Sequence, residues 1–167
     1  MEYFQTSPKA EVVLIGSNKT DAFVLERAKK FDVPTFTFTK SELNAGTVAE
    51  RLLAEGVDLV VLAGFLLLIP DNLIKAYPDK IVNIHPALLP NYGGKGMYGS
   101  RVHEAVKNAG EKETGITIHL VNSEYDKGKI IFQAAVAILP EDDSETIAQK
   151  VHNLEHKYFP NVIESLL

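Results

Sequence analysis

The feature that most constrains this chain's fold is an alternation. Short runs of Val, Ile and Leu, closed by Gly, Ser-Asn or Pro, are each followed by a stretch with helical spacing. A short apolar run hidden on both faces suits a parallel strand, and the helical stretch after it supplies the crossover. The pattern therefore predicts an α/β fold built on a largely parallel sheet.

Taken in order, residues 11–16 (EVVLIG) read as the first strand, and a helix is expected over 21–31 with Phe23, Val24, Ala28 and Phe31 as its apolar stripe. Val33-Pro34 ends it, and 35–39 reads as a short strand. Thr47-Val48-Ala49-Glu50 has the form of a capping box, which predicts a helix from Thr47 to Glu55 stopped by Gly56. Residues 57–63 form a Val-rich run suited to a buried parallel strand, and a brief helix follows Pro70. The strand expected at 81–84 delivers Asn83 and His85 to its C-terminal end. A glycine-rich loop, NYGGKGMYGS, covers 91–100, and 101–108 has helical character. Two strands at 115–121 and 129–138 flank the turn Tyr125-Asp126-Lys127-Gly128, close enough to pair antiparallel at a sheet edge. A closing helix begins near 142–144 with Ile147, Val151, Leu154 and Tyr158 as its stripe, and Pro160 is expected to kink or end it.

Composition narrows the function classes. The 167 residues suit one domain, 1–167, with one hydrophobic core. A net charge of -5 without any Lys/Arg cluster argues against a nucleic-acid surface, though local donors could still hold an anionic small molecule. Cysteine is absent, which removes disulfides, thiolate metal sites and cysteine nucleophiles. The longest apolar stretch, Leu59 to Pro70, is too short for a bilayer, and the first residues do not read as a signal peptide, so a cytoplasmic protein is expected.

Ligands of open α/β sheets bind beyond the carboxyl ends of the strands, and three features fall there. Asn83 and His85 share one face of their strand, so an amide donor and a titratable proton carrier stand side by side. By pattern alone they read somewhat more readily as a strand end and the turn that Pro86 begins. Asp126, two residues before Gly128, is ordinary turn chemistry taken alone. Near His85 it would raise the imidazole's pKa and fix its orientation. Thr117 and His119 also share a face, an arrangement more typical of a hydrogen-bonded core pair than of a ligand set.

Two blocks carry a family resemblance. Asn83-Ile84-His85-Pro86-Ala87-Leu88-Leu89-Pro90 is similar to the signature of the N10-formyltetrahydrofolate formyltransferases. About thirty residues further on, Thr114-Gly115-Ile116-Thr117-Ile118-His119 followed by Tyr125-Asp126-Lys127-Gly128 resembles their second block. The upstream Ser17-Asn18-Lys19 and Val60-Val61-Leu62-Ala63-Gly64-Phe65, with Leu154-Glu155-His156 near the end, resemble the glycinamide ribonucleotide (GAR) transformylase branch. The resemblance implies a Rossmann-like, mostly parallel sheet with helices on both faces. It also implies transfer of a formyl group from 10-formyltetrahydrofolate to the GAR amine in purine biosynthesis, with no metal.

Carried over by residue, the resemblance makes Asn83 the oxyanion stabiliser and His85 the proton carrier near its ordinary pKa of ~6.5. Asp126 would hold His85, through a water, and Thr117 would be a supporting hydroxyl. Leu62, Leu67, Leu68, Ile69, Asn83, Val121 and Asp126 would embrace the folate, and Gly64, Pro86, His152 and Glu155 would contact GAR. Small molecules are the expected partners, neither nucleic acid nor membrane, and the expected assembly is a monomer or homodimer.

Residues 1–167 depart from the family pattern at the front. The family opens with a strand and a Gly-rich, phosphate-binding turn, whereas Met1 to Gln5 resembles the tail of the helix that follows that turn. A truncated or mis-assigned start is the expectation, since the lost strand is central in the family's sheet. The 91–100 loop is longer than the shortest versions and reads equally as a flexible surface loop or an active-site lid. Position 87 is Ala where Ser is common.

Other readings compete. A formyltetrahydrofolate deformylase reuses the same Asn, His and Asp with water as nucleophile, but normally carries a regulatory domain. Methionyl-tRNA formyltransferase adds an RNA-binding domain and basic surface. His152-Asn153-Leu154-Glu155-His156 matches a zinc-peptidase pattern, but its helix carries a core stripe, and Glu164 is the sole acid after it. A catalytically impaired chain that binds folate only is the remaining alternative.

Overall fold

The computed structural model describes residues 1–167. After a short 3-10 turn at Glu2–Gln5 come β1 (Ile15–Ser17), α1 (Phe23–Lys29), β2 (Thr35–Thr37), α2 (Lys40–Ala45) and α3 (Thr47–Ala54). They are followed by β3 (Val60–Leu62), α4 (Asp71–Ala76), β4 (Ile81–His85), α5 (Ser100–Asn108), β5 (Glu113–Leu120), β6 (Ile130–Ala137) and α6 (Ser144–Glu164). The α/β alternation stands, but the strands form two sheets: a parallel β1–β2 pair, and a four-stranded sheet in the order β3–β4–β5–β6. Only β3–β4 is parallel in the second sheet, while β4–β5 and β5–β6 are antiparallel, so the whole is mixed.

Several local expectations shift for identifiable reasons. The capping box belongs to Thr39 and Glu42, whose side chains each satisfy the other's backbone N–H, and it starts α2, a helix the sequence pattern did not suggest. Gly46, at φ 96°, closes α2 and opens α3, so Thr47 is the first residue of α3 rather than its cap. Helix α1 buries Leu25 and Ala28 and leaves Phe23 73% exposed, so the expected Phe23–Val24 stripe is out of phase with the core. Helix α6 runs through Pro160 to Glu164. A proline removes one helical hydrogen bond, but Ile163 beyond it is buried and Tyr158, Phe159 and Val162 pack on the sheet cluster, which holds the last turns in place.

Two main cores result. One lies among α2, α3 and α4 and centres on Leu43, Ala49, Leu73 and Ile81, with Phe36 and Phe38 packed at its margin. The other lies between the four-stranded sheet and α6, where Val82, Ile84, Ile116, Ile118 and Val151 are buried. A third, smaller cluster joins Ala87 to Val102 and Val106 of α5. No helix is long and apolar enough to cross a membrane.

Candidate active site

The antiparallel register of β4 and β5 builds the centre of the site. It sets Asn83 opposite His119 and His85 opposite Thr117, so two pairs far apart in sequence become one cluster of four. Asp126 arrives from the β5–β6 turn. That turn folds back tightly: a side chain at Gly128 would strike the Leu120 carbonyl, and Asp126 itself sits at φ 56°.

Three of these residues face one another. His85, 4% exposed, places Nδ1 3.6 Å from Asp126 Oδ2, a gap too long for a direct hydrogen bond. Its Nε2 lies 2.7 Å from the Tyr92 carbonyl, which can only accept; Nε2 therefore carries the proton and Nδ1 is left as the basic nitrogen. His119 Nδ1 donates to the Leu120 carbonyl at 2.8 Å, which leaves its Nε2 to accept from the Asn83 amide at 3.0 Å. This fixes Asn83 with its NH2 group at the centre of the cluster and one N–H still free.

The electrostatics follow from burial. Desolvation pushes His85 below its ordinary value; the Asp126 carboxylate and the Tyr92 carbonyl pull it up, and His119 adds a further push down. The expectation of a histidine near or above its ordinary pKa is thus corrected: burial outweighs the carboxylate. Asp126 behaves oppositely. Burial opposes its charge, but His119, the Gly94 N–H at 2.8 Å and the nearby His85 together hold its carboxyl below the usual value.

Thr117 is fully buried, and its hydroxyl has no capacity left for a ligand. It donates to the Ala87 carbonyl at 2.7 Å and accepts from Leu89 N–H at 2.9 Å and Gln133 Nε2 at 2.8 Å. It stitches the turn after His85 to β5 and β6. The residues expected around the folate, Leu62, Leu67, Leu68, Ile69, Asn83, Val121 and Asp126, all line one open cleft together with Phe65, His119, Asn122, Glu124 and Tyr125. Of the residues expected at GAR, Gly64 (φ 68°) lies two residues beyond β3, and Pro86 directly follows His85. His152 and Glu155 stand on α6 outside the cleft's lining, and His152 Nδ1 donates to the Glu155 carboxylate at 2.8 Å.

Sequence reading missed three participants. His119 was visible as a partner of Thr117, but its place beside Asn83 depends on a strand register that no local pattern reveals. Gln133 acts through a hydrogen bond across β5–β6. Tyr92 contributes its backbone carbonyl, to which any residue type is equally suited.

An open cleft lined by the Asn83 amide, the His119 imidazole and the Asp126 carboxylate, with His85 buried beside them, marks an α/β protein with a polar cluster at its strand ends. The chain belongs to the formyl transferase family, whose pattern it matches over residues 1–163. It is 42% identical to a chloroplastic phosphoribosylglycinamide formyltransferase of Arabidopsis thaliana, over 96% of this chain and 57% of that relative. It is likewise 42% identical to the phosphoribosylglycinamide formyltransferase of Bacillus subtilis, over 95% of this chain and 81% of the other. The crystal structure of the enzyme of that name from Anaplasma phagocytophilum superposes with a TM-score of 0.88 at 34% identity, covering 98% of this chain and 76% of that one. The chain thus spans little more than half the length of the plant relative and about four-fifths of the Bacillus one.

Proposed function

We propose that this chain, as one formyltransferase-type domain, transfers the formyl group of 10-formyltetrahydrofolate to the primary amine of glycinamide ribonucleotide. The observation that carries the reading is the Asn83–His85–Asp126 cluster: Asn83 and Asp126 line the cleft, and His85 is buried behind them with its basic Nδ1 3.6 Å from the Asp126 carboxylate. The relatives' shared name supports the choice of acceptor.

The amine attacks the formyl carbon, and a C–N bond forms as the carbonyl oxygen becomes an oxyanion. The free Asn83 N–H is the donor available to that charge. His85 Nδ1 takes the proton that the amine sheds and returns it to N10, whose bond to carbon breaks; N-formyl product and tetrahydrofolate leave. Asp126, 3.6 Å from Nδ1, stabilises the transient imidazolium through its negative charge. The apolar wall of Leu62, Leu67, Leu68 and Ile69 suits a pterin. Neither the proton transfers nor the carbon transfer calls for a metal.

The test is formyl transfer followed spectroscopically with GAR and 10-formyltetrahydrofolate, with His85→Ala as control. Transfer that disappears in the variant supports the reading. Release of formate with GAR ignored would favour the deformylase reading. Silence, both in this chain and in one extended by the family's N-terminal strand and phosphate loop, would sink the enzyme assignment.

A further inference from the structure

The catalytic histidine is held by a residue whose own position depends on a remote contact. Tyr92 presents its carbonyl to His85 Nε2 at 2.7 Å, and it does so at φ 55°, in the left-handed region that a bulky L-residue rarely occupies. Such a conformation persists only when the surroundings hold it. Two contacts do. The Tyr92 ring packs on the cluster of Ala87, Val102 and Val106, and its hydroxyl donates to Glu111 Oε1 at 2.7 Å. Glu111 is anchored in turn, since its N–H bonds the Val106 carbonyl at the end of α5. Two residues further along the same loop, Gly94 N–H holds Asp126. The start of the glycine-rich loop therefore grips both members of the His85–Asp126 pair, which favours neither a free surface loop nor a simple lid.

We propose that Glu111 and the Tyr92 side chain form a latch that positions His85: the latch keeps Tyr92 in its left-handed conformation, so that the Tyr92 carbonyl fixes the proton on Nε2 and leaves Nδ1 as the base. Both are positioning residues, acting through the loop backbone. Released from Glu111, Tyr92 can relax to an ordinary φ and its carbonyl leaves Nε2. The imidazole then loses both its orientation and the contact that favours its protonated form. The other titratable groups in reach of His85 are Asp126, His119 and, on α5, His103, and none of them touches the latch. Glu113 lines the same small cavity as Glu111 and Tyr92. The inference rests on the proposed catalytic role of His85, but part of its test does not.

The variants are Tyr92→Phe, Glu111→Ala and Glu111→Gln, the last retaining a carbonyl acceptor. NMR of the His85 ring nitrogens reads tautomer and titration directly, whether or not the protein turns over. In Tyr92→Phe and Glu111→Ala, His85 is expected to titrate about half a pH unit lower and to show both tautomers. With the assay above, kcat should fall about three- to tenfold with KM values little changed. Glu111→Gln should behave as the unmodified protein. A His85 titration and tautomer in Tyr92→Phe that superpose on those of the unmodified protein would overturn the latch. So would a loss of kcat with the titration unmoved, which marks general loosening. An inactive but normally titrating parent with displaced variants would keep the latch and refute the activity instead.

Discussion

In β4 every residue but Asn83 is buried, and in β5 six residues run buried in succession, whereas the β1–β2 pair buries only Ser17. The two regions use the same kind of element to different ends. β4 has a hydrogen-bonded neighbour on each side and α6 covers their sheet; β1 and β3 are each an edge with one neighbour. Catalytic geometry must be held to a fraction of an ångström. All of the residues proposed to handle the proton stand on or beside the doubly supported strands. The lesson is that burial here is concentrated where position matters, and the thin β1–β2 pair carries none of the cluster.

The sharpest way to break that contrast is to remove chemistry from the well-built sheet without disturbing its core. His85→Ala is expected to lower kcat by about 10²–10⁴, the usual worth of a general acid–base. Asn83→Ala should cost about 10²–10³, the worth of one oxyanion donor. Both variants should fold, since each leaves the Val82–Ile84–Ile118 contacts in place; circular dichroism checks this beside the assay. A variant that keeps most of its activity would place the chemistry elsewhere in the molecule.

Next in size is the energetic difference between the regions. Ile118→Ala, at a position with no exposure, should cost about 2–5 kcal/mol in urea unfolding. Native-state hydrogen exchange sharpens the same comparison: amides of β4 and β5 should open only with global unfolding, and those of β1 and β2 well before it. Equal protection in both sheets would mean that the β1–β2 pair is as firmly held as the other.

The limits of sequence reading fall along the same line. Elements whose signal is local were legible: the Val-rich strand, the helix after Pro70, the antiparallel pair around Asp126 and the long last helix. Asn83 and His85 were legible because alternation along one strand puts them on one face. What was missed depends on pairing at a distance. His119 joins Asn83 only through the β4–β5 register, and Gln133 reaches Thr117 only across β5–β6. Thr117 was expected as a supporting hydroxyl, but what it supports was hidden, because its three hydrogen bonds to the turn and to β6 appear only once those segments are in place. The depressed His85 pKa was missed because sequence gives the carboxylate partner but not the degree of desolvation.

That depression predicts a modest effect. In the proposed mechanism His85 acts as base in its neutral form, so the acid limb of the kcat/KM profile should lie below 6.5. The stability sign follows from proton binding. Between its lowered folded value and 6.5, the unfolded chain binds more protons at His85 than the folded one. Stability should therefore fall as pH drops through that window, and His85→Gln should lessen the slope. An acid limb above 6.5 would mean that Asp126 outweighs burial and that the cleft is wetter than the packing implies.

The smallest expected effect lies in the thin region and tests the contrast from its other side. Phe23 opens α1 with most of its surface exposed, and only Leu25 and Ala28 on that helix are buried. Replacing an aromatic ring that touches little core removes little burial, so Phe23→Ser should shift unfolding by less than about 0.5 kcal/mol. The same change at a covered ring costs several times more, because the transfer and cavity penalties then apply in full. A loss above about 1 kcal/mol would show that this face of α1 is covered in solution. The apparent weakness of the β1–β2 region would then belong to an unpartnered surface rather than to its strands.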